Sequence, residues 1–93
     1  MADRYRHTDG TEVEAAQLFD DLAVHVSIAT WVESAGGTAL IPFLDPSLFV
    51  ETPDGRKVAD LGDWIIRKAD NTFTVCAHKE FAAAYELVRS EAG

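Results

Sequence analysis

The run Asp21-Leu22-Ala23-Val24-His25-Val26-Ser27-Ile28-Ala29-Thr30-Trp31-Val32-Glu33-Ser34-Ala35 decides the class of the fold. Leu22, Val26, Ala29 and Val32 recur at i, i+4, i+7 and i+10, which places them on one helix face. Val24, Ile28 and Trp31 widen that stripe. Asp20 or Asp21 is the N-cap, where a carboxylate accepts orphan backbone N–H groups and meets the positive end of the helix dipole. Gly36 and Gly37 stop the helix, because glycine tolerates the left-handed C′ position. The pattern therefore predicts one main helix over Asp21–Ala35, with short alternating segments on either side of it.

Those segments read as strands. Before the helix, Thr11–Leu18 carries Val13, Ala15 and Gln17 on one side and Glu12, Glu14 and Ala16 on the other. The alternation is imperfect, because Ala16 and Leu18 share the acidic side. Asp9-Gly10 is a turn signal just ahead of it. After the helix, Thr38–Leu44 is a short apolar run, and Pro42 marks it as an edge or bulged strand. Leu48–Thr52 and Arg56–Ala59 form a hairpin around Pro53-Asp54-Gly55, where proline sets φ and glycine accepts a positive one. Trp64–Lys68 and Thr72–Cys76 form a second hairpin around Asp70-Asn71. A short helix follows over Lys79–Tyr85, with Phe81 and Tyr85 clamping it onto the sheet and Leu87 and Val88 closing the chain near the core. The order β-α-β-β-β-β-β-α implies an α+β fold: a small, mostly antiparallel bent sheet or partial barrel against one main helix, with a short C-terminal helix.

The 93 residues suffice for a single domain, taken as 1–93 with 1–10 and 90–93 flexible. Apolar residues make up 47% of the chain, a globular rather than disordered composition. One cysteine, Cys76, excludes an internal disulfide and suits a reducing cytosol. No apolar run approaches the ~20 residues that span a bilayer, and Met1–Gly10 has no signal-peptide character. The expected location is a cytoplasm.

Sixteen acids against eight bases leave a net charge of −8. That balance argues against direct nucleic-acid binding, which needs clustered Lys and Arg, and against an anionic membrane surface. It suits solubility, a basic protein partner, or imitation of a nucleic acid's charge.

No catalytic motif emerges. Cys76-Ala77-His78 offers two metal ligands where structural zinc needs four. As a Cys/His nucleophilic pair it lacks an adjoining oxyanion-stabilising glycine turn. The paired acids Glu12/Glu14, Asp20/Asp21 and Asp60/Asp63 have little room for a sugar-binding cleft, and capping or solvation explains them. No phosphate loop or dinucleotide fingerprint is present. The expectation is a non-enzyme with no cofactor and no metal.

The residues left for function are Glu12, Glu14, Asp20, Asp21, Glu33, Asp60, Asp63 and Trp64, read as a protein-binding surface. Glu51 and Asp54 would extend the same acidic track. Asp63 also reads as the holder of a tight turn. Trp64 and Trp31 each read either as core aromatics or as exposed anchors.

A longer phrase also stands out. Val58-Ala59-Asp60-Leu61-Gly62-Asp63-Trp64-Ile65-Ile66-Arg67 runs into Phe73-Thr74-Val75-Cys76, then Phe81, Tyr85 and Glu86. Near the start come Tyr5-Arg6 and Val13-Glu14-Ala15-Ala16-Gln17. This resembles a widespread family of small phage and prophage proteins of unassigned function, with a Pro-Gly-Asp-Trp-Ile-Ile core and a Phe…Thr-Tyr-Glu tail. The likeness covers most of the chain in order, and Gly62-Asp63-Trp64-Ile65-Ile66 is its most specific piece. Leu61 stands where that family has proline. His7-Thr8-Asp9, Thr74-Val75 and His78-Lys79-Glu80 also depart from its pattern. The resemblance implies a phage or prophage gene acting in a bacterial host's cytoplasm, and it implies no reaction. The expected function is an accessory protein that binds and modulates a host protein, in host takeover or against defence. The alternative is a virion-associated or self-associating structural protein, a homodimer for example, pairing through the edge strand Thr38–Leu44.

Overall fold

The computed structural model describes residues 2–42 and 45–88. In chain order the elements are β1 Asp3–His7, β2 Glu12–Gln17, α1 Leu22–Ser34, β3 Ala39–Leu40, β4 Leu48–Thr52, β5 Gly55–Ala59, β6 Trp64–Arg67, β7 Phe73–Cys76, α2 His78–Ala84 and β8 Tyr85–Leu87. The fold is α+β, with a main helix, a short C-terminal helix and antiparallel strand pairing throughout the described residues. The strands divide between a five-stranded sheet, β7-β6-β2-β1-β8, and a three-stranded sheet, β3-β4-β5.

Both faces of the five-stranded sheet are covered, and this explains the imperfect alternation of β2. Ala16 and Ile65 look into the larger core, with Leu18 just past the end of β2. There α1 and the inner residues Ala39, Leu48, Val50 and Ala59 of the three-stranded sheet pack against them and Phe73. Val13, Ala15 and Ile66 look the other way, into a second core closed by Phe81 of α2. Successive side chains of a strand point to opposite faces, so a strand buried on both shows apolar residues at both parities.

Helix α1 begins where expected. Asp21 is the N-cap, and its Oδ1 accepts from the Ala23 amide at 2.9 Å. Its buried face differs from the expected stripe. His25, Ile28, Ala29 and Val32 are inside, whereas Leu22 is 67% and Val26 49% exposed. The true face follows i, i+3, i+4, i+7 and includes a histidine. The apolar spacing of Leu22 and Val26 pulled the expected stripe to one flank.

Several further expectations are corrected. No element was expected in residues 1–10, yet Asp3–His7 is a strand bonded to β2 on one side and β8 on the other. The short strand after α1 is Ala39–Leu40 only, at a sheet edge; residues 43–44 of the expected Thr38–Leu44 run lie outside the described residues. The C-terminal helix ends at Ala84, and Tyr85–Leu87 is an edge strand with Leu87 exposed rather than near the core. The expected flexible stretch 90–93 lies outside the described residues.

The two predicted hairpins are present, and the structure supplies their register. Thr52 pairs with Gly55 and Arg67 with Phe73. Gly55 has φ +109°, a conformation that L side chains rarely adopt. No helix of the described residues is long and apolar enough to cross a membrane.

Candidate interaction surface

The acids expected to form one surface separate into groups. Glu12 and Glu14 lie on β2 facing arginines. Arg4 and Arg6 reach Glu12 at 3.4 and 3.2 Å, and Arg67 reaches Glu14 at 2.6 Å. The cross-strand register β1–β2–β6 sets this ladder, pairing Arg4 with Glu14, Arg6 with Glu12 and Glu14 with Arg67. The arginines hold the Glu12 carboxyl below its ordinary range through hydrogen bonds and charge. These two residues are therefore not an acidic face. Glu51 is likewise taken by Arg56 at 2.6 Å. Glu33 sits near the far end of α1, about 18 Å of helix from Asp21 at ~1.5 Å per residue.

The remaining five of the expected residues come together. The segment entering α1 and the β5–β6 turn are bonded to each other: Leu18 N–H donates to Asp63 O at 2.9 Å, and Gly62 N–H to Leu18 O at 2.7 Å. Phe19, Asp20 and Asp21 follow Leu18, and Asp60, Asp63 and Trp64 flank Gly62. Asp63 also holds its turn, its Oδ2 accepting from the Asp60 amide at 2.9 Å. Gly62 has φ +92°, so the turn needs glycine at that position. None of these four aspartates is in an ion pair with a described residue. Exposed Phe19 and Leu61 sit on the same two segments, giving this end of the molecule a mixed acidic and apolar character.

Trp64 is half-buried and belongs to an aromatic layer under α2. Its ring lies 4.0 Å from that of Phe81 and parallel to it, Phe81 continues to Tyr85 at 4.6 Å, and Tyr5 meets Trp64 and Phe81 edge-on. The Trp64 indole N–H donates to His78 Nδ1 at 3.1 Å, and Gln17 Nε2 lies 3.1 Å from the same atom. Tryptophan is a donor only, so Nδ1 is the acceptor and the imidazole carries its proton on Nε2. Gln17 Nε2 also donates to Gly62 O at 3.1 Å, tying β2, β6, the turn and α2 into one node. Trp31 is half-buried too, edge-on to Phe73 at 5.3 Å.

This node accounts for Cys76 and His78. The thiol donates to Ala77 O at 3.6 Å, and the imidazole faces Trp64 and Gln17. Burial first, then the charges of Glu80 and Asp63, push the Cys76 thiol up, which keeps it protonated at neutral pH. Among the described residues no three His, Cys, Asp or Glu side chains are grouped to hold a metal ion.

Beside the node, a cleft of about 310 Å³ opens between β1, β2 and the start of α1. Tyr5, Phe19, Val24, Ile28 and Trp64 wall it, and Asp3 and Gln17 supply its polar groups. The Tyr5 hydroxyl is pushed up by burial and, second, by the charge of Asp3. Sequence reading missed Asp3, Tyr5 and Phe19 as site residues, because nothing local joins residues 3–5 to residues 17–28.

A second surface is the outer face of the three-stranded sheet. The register places Leu40, Phe49 and Val58 in one cross-strand row, with Leu40 44% and Val58 50% exposed. The Arg56 guanidinium lies 5.8 Å from the Phe49 ring centre.

Comparison of the chain with protein-family models, curated proteins and solved structures finds no match.

Proposed function

We propose that this chain is a non-enzymatic phage or prophage accessory protein that binds and modulates a protein of the bacterial host, in its cytoplasm, through the acidic end described above. The observation that carries the reading is the gathering of Asp20, Asp21, Asp60 and Asp63 beside exposed Phe19 and Leu61, with no arginine or lysine ion-paired to them among the described residues. Acids around an apolar centre, with Asp20, Asp21 and Asp60 exposed, suit a basic partner, with the charges steering the encounter and the apolar groups holding it. The resemblance of Gly62-Asp63-Trp64-Ile65-Ile66 to the phage family supports the proposed origin.

The test is affinity capture from host lysate at low and high salt, with mass-spectrometric identification, alongside an Asp20→Asn/Asp60→Asn variant. These two positions avoid the cap at Asp21 and the turn carboxylate of Asp63. One dominant partner, weakened by salt and by the variant, is expected. A partner indifferent to both removes the acidic end from the interface, and no partner above an empty bait removes the reading.

The row Leu40–Phe49–Val58 favours a second reading, self-association through the outer face of the small sheet. Sedimentation of the wild type and of Val58→Asp separates the two: a concentration-dependent dimer abolished by the charge supports the structural role.

A further inference from the structure

We infer that the cleft between β1, β2 and α1 receives an arginine side chain of the partner protein. This deepens the proposed function and rests on its reading of a basic partner.

The hydrogen-bonding inventory of the walls points to the guest. The Trp64 N–H is taken by His78, and the Gln17 amide nitrogen by Gly62 O and His78. What the cleft keeps is two acceptors and the Tyr5 hydroxyl, whose rotor can turn its lone pairs to a guest. The Asp3 carboxylate makes no ion pair or side-chain hydrogen bond with a described residue, and Gln17 Oε1 accepts from none. A guest that only donates matches such a wall, and a guanidinium has five N–H donors and no acceptor. The apolar walls narrow the choice further. Tyr5, Phe19, Trp64 and Val24 offer flat and aliphatic surface, which suits a planar, weakly hydrated guanidinium and its methylene stem better than a strongly hydrated ammonium. Charge agrees with shape: Asp3 already raises the Tyr5 hydroxyl by its field, and Asp20 follows Phe19 in the chain. A volume of about 310 Å³ is at the small end of the range for small-molecule pockets, as a single side chain requires.

The experiment is an amide and indole NMR titration of the full chain with N-acetyl-arginine methylamide. N-acetyl-citrulline methylamide serves as the neutral isostere and N-acetyl-lysine methylamide as the other cation. A Trp31→Phe background leaves Trp64 as the single indole signal, and the assigned wild-type spectrum serves if that variant is unstable. Saturable shifts of the Trp64 indole and of the Asp3, Gln17 and Phe19 amides are expected with the arginine probe. The citrulline probe should be silent at equal concentration, and affinity should fall about fivefold in Asp3→Asn, the scale of one partly desolvated charge contact. Equal response to citrulline would make the cleft a plain apolar pocket and overturn the proposal. Equal affinity for lysine, or indifference to Asp3→Asn, would overturn it as well. Shifts at these residues on raising protein concentration alone would give the cleft to a second copy. If the titration fails while capture still depends on Asp20 and Asp60, the acidic end stands without the cleft. If capture fails while the titration succeeds, the cleft stands without the host-partner reading.

Discussion

The indole of Trp64 and the imidazole of His78 lie within 13° of parallel, with the Trp64 N–H directed at His78 Nδ1 over 3.1 Å. Their ring centres are 6.4 Å apart, so the two rings sit side by side and not face to face. The bond joins β6 to the first residue of α2 and turns the indole so that it stacks on Phe81. A half-buried indole N–H left without an acceptor costs about 1 kcal/mol or more. His78→Phe should therefore destabilise the protein by about 1 kcal/mol although it keeps a ring, and should shift Trp64 emission in a Trp31→Phe background. Wild-type stability of His78→Phe by urea unfolding would show that ring packing, not the acceptor, holds the node.

Phe81 is the buried anchor of α2, stacked between Trp64 and Tyr85. Phe81→Ala should cost about 3–4 kcal/mol, the range for truncating a buried phenylalanine. Amide exchange should show α2 and β8 losing protection first, because β8 follows α2 without a loop. A loss under about 1 kcal/mol would mean the second core contributes little.

His25 is 5% exposed, and its Nε2 has no hydrogen-bond partner among the described residues. A buried polar atom without a partner is a standing cost, and an apolar side chain of similar volume removes it. His25→Leu should raise stability by about 1 kcal/mol in urea unfolding. A decrease would show that the imidazole makes a contribution that shape alone does not replace.

The Glu14–Arg67 pair is the shortest contact of the cross-strand ladder, and both side chains are partly exposed. A double-mutant cycle with Glu14→Gln and Arg67→Met should return a coupling of about 0.5 kcal/mol, falling at 0.5 M salt. A coupling unmoved by salt would mean the pair is shielded more deeply than its exposure indicates.

Stability should decline at alkaline pH. Cys76, Tyr5 and Tyr85 all titrate above their ordinary values, chiefly because burial opposes the charged forms. A group whose folded value is raised contributes stability that is complete below its unfolded value and lost as pH rises through the folded one. The decline should begin near pH 9, the ordinary thiol value being 9.0, and steepen past the ordinary tyrosine value of 10.0. Melting temperatures from pH 7 to 11 test this, and Cys76→Ala should remove the first part of the slope. At the acid end the sign reverses. Asp9, Glu12 and Asp70 titrate below their ordinary values through hydrogen bonds from Thr11, from Arg6 and Arg4, and from Thr72, so their contribution fades as pH falls through those lowered values.

Much of the fold was legible because its signals are local. The Asp21 cap, the glycines ending α1, and the turns at Pro53-Asp54-Gly55 and Asp70-Asn71 each depend on residues a few positions apart. Strand β1 was not legible, because Tyr5 is its one strong apolar signal and, although β2 is close by in the chain, its other partner Tyr85–Leu87 lies at the far end. The stripe of α1 was misplaced for the same kind of reason. Which flank of an apolar helix is buried depends on what packs against it, and His25 is inside only because the tertiary fold puts it there.

The sequence by itself determined the α+β class, the hairpins, the capped main helix and the excess of negative charge. Composition set the number of acids but not their neighbours. Only the tertiary structure decided that Glu12 and Glu14 face arginines across β1 and β6, while Asp20, Asp21, Asp60 and Asp63 meet at the other end. Charge is a sum over residues, whereas a charged surface is a matter of strand register and of two distant turns sharing backbone hydrogen bonds.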